Sequence, residues 1–413
     1  MPGRAQQTGG RGGAALRTLF VGQSGGGTPV INASLAGVVA EARAQGVDHV
    51  LGMRFGIRGL LDQQFIDLTA VTPAELERLA NTPSAALGLC RHKLTGETTR
   101  QAVETLRRWH VDALLYIGGN DSAETTLAIA HAAEQEGYPL ACIGIPKTID
   151  NDLLAMDHTP GYGSAARFIA SVVRDLGHDA WAMQREEQVR ILEVYGRDTG
   201  WLAAASVLAR VTPGDAPHLV LVPELPFVED AFLTAVERQV RNDGYCVVIV
   251  GEMLRDASGA LIGNGDADWR DAFGHSEARR PGAYLRALVQ QRLGLRAKDD
   301  RPGSIQKYLG DVSSPVDRAE ALALGQAAVR AAVAGKSGCT VALRRQCDDP
   351  YSSVCELAPL ASIAGGVRPL PPEFLDADGQ PNGAFERYAR PLIGGELPAR
   401  LRLTSAPIPL PGA

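Results

Sequence analysis

The 413-residue chain has few cysteines, no excess of basic residues and no long apolar run. Its six cysteines include no Cys-x-x-Cys pair, and Cys142 and Cys246 lie in apolar strand-like runs, which favours reduced core thiols. A formal net charge of -6 argues against nucleic-acid and membrane-surface proteins, because those rely on excess lysine and arginine. No segment is apolar over the length needed to span a bilayer, and the Gly/Arg/Gln-rich start lacks an apolar signal core. We therefore expect a cytoplasmic protein in which residues 1–15 form a disordered tail.

The usual nucleotide fingerprints are also missing. Two glycine-rich loops, at residues 24–28 and 118–122, match neither the Rossmann dinucleotide fingerprint nor a P-loop. No ribose-binding acid stands at the offset that a dinucleotide site requires, which disfavours an oxidoreductase of that kind. Each loop alone could be an ordinary tight turn between a strand and a helix.

The chain instead alternates short apolar runs with helix-period segments. Strand-like runs occupy residues 18–21, 113–117, 140–145, 189–194, 218–222 and 246–250. Helical patterns follow at residues 30–44, in a stretch ending near residue 133, at 203–210 and at 228–240, with Pro29 expected in the first helical turn. This alternation predicts a doubly wound α/β architecture.

Composition also suggests where the domains divide. We place a boundary near residues 159–161 and expect the segment after about residue 310 to return to the first domain. Residues 396–413, which include Pro407, Pro409 and Pro411, are expected to form a surface tail.

Chemistry concentrates in Pro146-Lys147-Thr148-Ile149-Asp150-Asn151-Asp152, directly after the apolar run at residues 140–145. Ligands of open α/β sheets gather at the carboxyl ends of parallel strands, so this segment is expected to line a crevice. A solvated turn is the alternative for any Asp-Asn-Asp string. Two glycine loops at the same inferred edge favour a shared phosphate crevice, because their NH groups can approach an anion without obstruction by a Cβ.

The residue types in this segment suit phosphoryl transfer. Asp150 can take a proton from a substrate hydroxyl, while Asp152 could orient the acceptor or help to hold magnesium. The Lys147 ammonium would offset charge on phosphoryl oxygens, an interaction of roughly 4 kcal/mol per charge pair at about 4 Å and an effective dielectric of about 20. The strand-end turns Tyr195-Gly196-Arg197 and Val250-Gly251-Glu252 offer a guanidinium for phosphate and a carboxylate for sugar hydroxyls.

Several motifs together resemble those of 6-phosphofructokinases, in order and at suitable spacing over residues 18–307. They are Ser24-Gly25-Gly26, Gly118-Gly119-Asn120-Asp121, the segment from Pro146 to Asp152, Tyr195-Gly196-Arg197-Asp198-Thr199-Gly200-Trp201, and Pro223-Glu224. The resemblance implies two similar doubly wound Rossmann-like domains with the active site in the cleft between them. Residues 16–160 with about 311–395 would bind the donor phosphates, and residues 161–310 would bind the sugar phosphate.

The resemblance also implies a role for individual residues. Fructose 6-phosphate would be the acceptor, with Asp150 taking the proton from its 1-hydroxyl and Gly25 on the donor phosphates. The residues expected to bind the sugar phosphate are Thr148, Asp150, Asp152, Tyr195, Gly196, Arg197, Glu252, Lys298 and Lys307. Mg²⁺ is the expected cofactor, and Asn120 stands where the family's usual aspartate contacts it.

Lysine stands at both Lys298 and Lys307 where the family has arginine, which keeps the charge but loses bidentate geometry. In the family such a basic residue reaches across a subunit interface, so we expect a homodimer or homotetramer.

Two positions indicate the phosphoryl donor. ATP-dependent relatives typically have glycine where this chain has Asp121 and Lys147, which leaves room for the nucleotide. Asp121 would repel the α-phosphate of a nucleotide, and Lys147 supplies charge that a smaller donor needs. The sequence therefore resembles the pyrophosphate-dependent branch, whose reaction is near equilibrium and runs in either direction. The alternatives are an ATP-dependent enzyme and a non-catalytic phosphosugar-binding subunit, and the second is disfavoured because Asp150 is present.

Overall fold

The computed structural model describes residues 16–263 and 280–403. The expected tail at residues 1–15 lies outside the described residues, as do Pro407, Pro409 and Pro411. Among the described helices, none combines the length and apolarity that crossing a membrane would take.

The strands of the described chain alternate with helices. The strands are β1 (Thr18–Gln23), β2 (His49–Met53), β3 (Phe65–Asp67), β4 (Ala113–Gly118), β5 (Ala141–Pro146), β6 (Val189–Val194), β7 (Leu219–Leu221), β8 (Cys246–Gly251), β9 (Ala297–Asp300), β10 (Cys339–Asp348) and β11 (Tyr351–Pro359). The helices are α1 (Ile31–Ala44), α2 (Ile57–Leu61), α3 (Pro73–Ala80), α4 (Gly96–Arg108), α5 (Asn120–Gln135), α6 (Tyr162–Met183), α7 (Trp201–Ala205), α8 (Glu229–Asp243), α9 (Pro281–Leu293), α10 (Pro315–Val333) and α11 (Gly383–Ala389). Short 3-10 turns occupy Ser206–Ala209, Gly303–Lys307, Gly310–Val312, Leu360–Ser362, Pro372–Phe374 and Pro391–Ile393.

Two sheets organise these elements, as the sequence pattern predicts. The first has the order β11-β10-β5-β4-β1-β2-β3 and is parallel except for the edge strands β3 and β11. The second has the order β7-β8-β6-β9 and is parallel throughout. In the first sheet the chain leaves β1 on one side toward β2 and later returns on the other side as β4. The loops after β1 and β4 therefore diverge and leave a crevice at the carboxyl edge.

Both faces of each sheet are buried. In β1, Leu19 and Val21 pack on the face covered by α1 and α10, whereas Phe20 packs on the opposite face with Leu106 of α4. Such strands read as continuous apolar runs, since no face is left for water.

Most predicted boundaries differ from the observed ones by one to three residues, and three differences concern how an element begins or continues. Pro29 does not begin the first helix, because the N-cap is Val30 and α1 starts at Ile31. The segment predicted as one helix at residues 203–210 is a short α-helix continued by a 3-10 turn, and β7 begins at Leu219 and not at His218.

The long helix α6 begins at Tyr162, after the irregular stretch that follows β5, and a residue distant in sequence caps its first turn. The N-cap residue is Gly161, with a φ of 112°, so no N-cap side chain accepts a hydrogen bond from the first turn. Instead the buried Asp317 of α10 accepts hydrogen bonds from the backbone N–H groups of Gly161 and Ser164, both at 2.9 Å, and from the Ser164 hydroxyl. This acceptor satisfies donors that a helix N-terminus leaves unpaired.

The chain after residue 310 divides between the two sheets. β10 and β11 extend the first sheet, and α10 packs on α1. Apolar side chains from Leu370 to Leu397, however, lie in the cluster that contains Trp201 and Ile249, on a face of the second sheet. Residues 311–395 thus contact both sheets: β10, β11 and α10 lie with the first, and the apolar side chains of the last segment are buried against α6 and α7.

The α1–α10 contact depends on glycine at the crossing point. A Cβ at Gly325 would lie 2.1 Å from the carbonyl oxygen of Ser34, and one at Gly37 would lie 2.1 Å from that of Leu322. The two backbones therefore touch where any side chain would separate them.

We expect Gly325→Ala to lower the free energy of unfolding by about 1–3 kcal/mol, because overpacking outweighs the helix propensity that alanine adds. Urea unfolding measures the change. Gly96→Ala is the matched control, since no atom lies within 4 Å of its Cβ position at the start of α4. Equal stability of the two variants would contradict a tight crossing.

Candidate functional site

A polar cavity of about 460 Å³ lies where the carboxyl ends of strands from both sheets meet. The loops after β1, β4 and β5 form one wall, and those after β6 and β8 form the other. Its lining residues are Ser24, Gly25, Gly26, Gly27, Thr28, Arg91, Gly119, Asn120, Asp121, Ser122, Glu124, Lys147, Thr148, Ile149, Asp150, Asp152, Tyr195, Arg197, Asp198, Thr199, Glu252, Lys307, Gly365, Gly366 and Val367.

Lys147 is tied directly to the glycine loop. Its Nζ donates a hydrogen bond of 2.7 Å to the carbonyl oxygen of Gly26. Gly25 has a φ of 77°, and a Cβ there would lie 2.9 Å from the Lys147 Nζ. Glycine is therefore required at this position both for its backbone conformation and for the approach of the ammonium.

The Lys147 side chain is almost fully buried, at 3% exposure. Burial lowers its pKa to about 8, the nearby Asp150 carboxylate opposes that shift, and Lys307, Arg197 and Arg91 reinforce it. Four basic side chains, including Lys147, thus share the cavity with six carboxyl groups. A bound anion would raise the pKa of Lys147.

Three carboxyl groups face these cations. Burial raises the pKa of Asp150, against the opposing effects of Arg197, a hydrogen bond from Thr148, and Lys147. The Thr148 hydroxyl donates to Asp150 Oδ2 at 3.2 Å and accepts from the Asp150 N–H at 3.1 Å. Burial and the neighbouring Asp150 raise the pKa values of Asp152 and Glu252 to about 7. Acids with raised pKa values are proton acceptors matched to neutral pH.

The turn after β6 brings the second sheet's residues to the same place. Gly196 and Arg197 have φ values of 137° and 51°, and the Arg197 N–H donates to Glu252 Oε1 at 3.1 Å. The Arg197 Nε lies 4.0 Å from Asp150 Oδ2, and the Thr199 hydroxyl donates to the Asp150 carbonyl at 3.2 Å. Residues from the two sheets therefore meet at Asp150.

Comparison with known proteins accounts for this arrangement. The family model described as phosphofructokinase matches residues 18–332. The chain belongs to the phosphofructokinase family.

Individual relatives cover nearly the whole chain. A protein of Xanthomonas campestris pv. campestris named pyrophosphate–fructose 6-phosphate 1-phosphotransferase is 41% identical, over 92% of both chains. ATP-dependent 6-phosphofructokinase 2 of Streptomyces coelicolor is 32% identical, over 86% of this chain and 96% of its own. A crystal structure described as pyrophosphate-dependent phosphofructokinase from Marinobacter aquaeolei superposes with a TM-score of 0.83 at 33% identity, covering 94% of both chains.

The cavity brings together most of the residues predicted from the phosphofructokinase resemblance. They are Gly25, Asn120, Asp121, Lys147, Thr148, Asp150, Asp152, Tyr195, Arg197, Glu252 and Lys307. Gly196 does not line the cavity, but a Cβ there would lie 2.7 Å from the Thr199 carbonyl oxygen, so it permits the turn. Lys298 also lies outside the cavity, where its ammonium pairs with Glu187.

Sequence reasoning missed Arg91, Asp198, Thr199 and the segment at residues 365–367 as cavity residues. Arg91 lies in a stretch without regular structure, so no strand end marks it, and a run of basic residues from Arg91 to Lys93 was the only signal. Residues 365–367 follow a 3-10 turn far along the chain, and only tertiary packing brings them to the site.

Phosphofructokinases are generally metal-dependent. Within residues 16–263 and 280–403, no three His, Cys, Asp or Glu side chains form a complete metal site. Asn120 Oδ1 is buried in the cavity wall without a hydrogen-bond partner, which leaves an oxygen ligand available. Oxygen ligands shared with substrate phosphates suit Mg²⁺, so the residues fit a cation held jointly by protein and donor.

The raised pKa of Glu252 has a consequence for stability. The folded pKa of about 7 exceeds the ordinary value of 4.5, so between these values the folded state binds more protons than the unfolded state. Stability is therefore lost as pH rises from about 4.5 to 7, and the loss persists above that range.

We expect Glu252→Gln to raise the free energy of unfolding at pH 8 by on the order of 2 kcal/mol, and the gain to vanish near pH 4.5. Thermal unfolding of the ligand-free protein at both pH values measures it. Glu237→Gln on the exposed face of α8 is the control; it removes only a surface ion pair with Arg241 and should change stability by at most about 0.5 kcal/mol. A gain that is equal at both pH values would show that ionisation of Glu252 is not the cause.

Proposed function

We propose that this protein transfers a phosphoryl group reversibly from pyrophosphate to the 1-hydroxyl of fructose 6-phosphate, giving fructose 1,6-bisphosphate and phosphate. The observation that carries the proposal is that Asp121, Lys147 and Asp150 line one cavity. A donor selector, a phosphate-binding cation and a proton acceptor are thereby within one site. The names of the similar Xanthomonas and Marinobacter proteins support the same donor.

The two walls of the cavity suggest two binding roles. The glycine loop with Gly25, the start of α5 and Lys147 would hold pyrophosphate, and Asp121 would border the far end of the donor site. The opposite wall, with Tyr195, Arg197 and Glu252, would hold the sugar phosphate together with Thr148, Asp152 and Lys307. In domain terms, residues 16–160 with β10 and β11 bind the donor and residues 161–310 bind the sugar.

Each residue has a definite task in the reaction. Asp150 accepts the proton of the 1-hydroxyl while that oxygen forms a bond to the terminal phosphorus of pyrophosphate. The bond between that phosphorus and the bridging oxygen breaks, and inorganic phosphate leaves with the electron pair. The Lys147 ammonium stabilises charge on the transferred oxygens. In the reverse direction, protonated Asp150 returns the proton to the sugar oxygen.

Asn120 would contribute a ligand to Mg²⁺ together with the donor phosphates. When bound, the cation neutralises charge on the donor.

The exclusion of ATP follows from charge at the start of α5. Asp121 is the second residue of this helix, where the positive end of the helix dipole would otherwise favour a phosphate. Its carboxylate repels an additional phosphate group, whereas pyrophosphate ends before reaching it. An ATP-dependent reaction is the alternative, and the Streptomyces relative carries that name.

Two further proposals concern the setting of the enzyme. The largely exposed Lys298 remains our candidate for a contact across a homodimer or homotetramer interface. Reduced cysteines favour a cytoplasmic location: none of the six, all in described residues, forms a disulfide.

The donor assignment predicts rapid turnover of fructose 6-phosphate with Mg²⁺ and pyrophosphate, and little with ATP.

We expect Lys147→Gly to lower the pyrophosphate rate by at least about tenfold, because one charge-assisted contact to the transferred group is lost. Coupled assays of fructose 1,6-bisphosphate formation with each donor measure both rates. A strong preference for ATP in the unaltered protein would overturn the donor assignment.

Asp150→Asn should reduce kcat by about 10²–10⁴-fold, the usual contribution of a positioned base. The amide keeps the size of the side chain and its bond from Thr148, so the melting temperature should not fall. Steady-state kinetics with pyrophosphate, accompanied by a thermal melt, test this. Retention of most of the activity would remove Asp150 as the proton acceptor.

A further inference from the structure

A segment that lies outside the residues matched by the family model packs against the loop that carries Asp150 and Asp152. Residues 365–367 line the cavity, and the next residue, Arg368, extends its side chain under the irregular stretch that connects β5 to α6. The family model ends at residue 332, so its pattern does not include Arg368.

The Arg368 guanidinium binds three carbonyl groups within this stretch. Its Nη2 and Nε donate to the Asn151 carbonyl oxygen at 2.9 and 3.2 Å, and its Nη1 donates to those of Met156 and Asp157 at 2.8 and 2.5 Å. The backbone N–H of Arg368 donates to the Asp152 carbonyl at 2.7 Å. One residue therefore satisfies acceptors that a strand or helix would otherwise satisfy.

The stretch needs such support because its backbone is strained. Ala155 has a φ of 60°, which costs about 1–2 kcal/mol, and Asn151 has a φ of 58°, which asparagine adopts more readily than most residues. Asn151 is fully buried, and its side chain donates to the Tyr388 hydroxyl at 3.0 Å and accepts from the Thr159 N–H at 3.1 Å. The conformation that presents Asp150 and Asp152 is thus held by contacts from the C-terminal segment.

The same guanidinium also contacts the other wall of the site. It lies over the Trp201 ring, 4.5 Å from the ring centre, and the Trp201 Nε1–H donates to the Arg368 carbonyl at 3.1 Å. Trp201 begins α7 two residues after Thr199, which lines the cavity and bonds to the Asp150 backbone. Arg368 is therefore in contact with the catalytic loop and with the segment that follows β6.

We propose that Arg368 is a positioning residue that fixes the Asp150–Asp152 loop relative to the segment from Tyr195 to Trp201. Its catalytic consequence rests on the function proposed above, whereas its effect on the loop does not. Lysine cannot replace it, because an ammonium has neither a planar fork for several carbonyls nor a flat face for the indole.

Arg368→Lys is expected to lower kcat by about 10²-fold, because small displacements of reacting groups are that costly. KM for pyrophosphate should stay unchanged, because the guanidinium contacts no residue of the glycine loop. Arg368→Gln is a second variant in case one of the two fails to fold. The control is Arg174→Lys. Arg174 also binds the C-terminal segment, through the carbonyls of Leu397 and Pro398, and it binds the carbonyl of Ala209, but none of these residues lines the cavity. Its kcat should not change.

Hydrogen–deuterium exchange of the ligand-free proteins provides a readout that does not depend on turnover. Peptides covering residues 151–159 should exchange faster in the Arg368 variants than in the unaltered protein and in Arg174→Lys, while exchange within α6 stays the same. Unchanged exchange and kcat in Arg368→Lys would overturn the proposal. An equal loss of kcat in Arg174→Lys would also overturn it, since general loosening of the segment would then be the cause.

These measurements separate the two proposals. If the unaltered protein does not turn over pyrophosphate and fructose 6-phosphate, the proposed function fails. The exchange data still decide whether Arg368 holds the loop.

Discussion

The balance of buried charge in one cavity is the constraint on which the rest of the site depends. Lys147 is desolvated and bonded to the Gly26 carbonyl, and its ammonium is stabilised by Asp150 while three other basic side chains destabilise it. Burial, and next to it the Asp150 carboxylate, raises the pKa values of Asp152 and Glu252. Buried cations and carboxyl groups thus shift one another's pKa values within one cavity, and such perturbed groups are typical of functional sites.

This charge balance requires exact backbone placement, and the fold supplies it from two directions. Diverging loops at the switch point of the first sheet bring the glycine loop and the start of α5 to one wall. Left-handed residues on both sides, Asn151 and Arg197, turn the chain so that side chains from the two sheets meet at Asp150. Such strain persists only where surrounding contacts hold it, and for the Asn151 turn those contacts come from Arg368 and Tyr388.

The reactive groups reduce the stability of the protein that carries them. A carboxyl group whose pKa is raised by burial, such as Glu252, destabilises the folded state above that pKa. The tight packing of α1 on α10 at Gly37 and Gly325 stabilises the folded state outside the cavity. The last segment, from Leu370 to Leu397, contributes by burying its apolar side chains against α6 and α7.

The sequence alone determined the α/β class, the family and the strand ends that carry chemistry, because these depend on local patterns. Apolar runs such as residues 140–145 must be buried on both faces, and polar residues such as Asp150 that follow them must then lie at the carboxyl edge. Only the tertiary structure decided that Arg91 and residues 365–367 line the cavity, that Lys298 does not, and that Leu370–Leu397 pack on the second sheet. Those contacts join residues distant in sequence, and which of them form depends on how whole elements pack. No periodicity or motif within a short window contains that information.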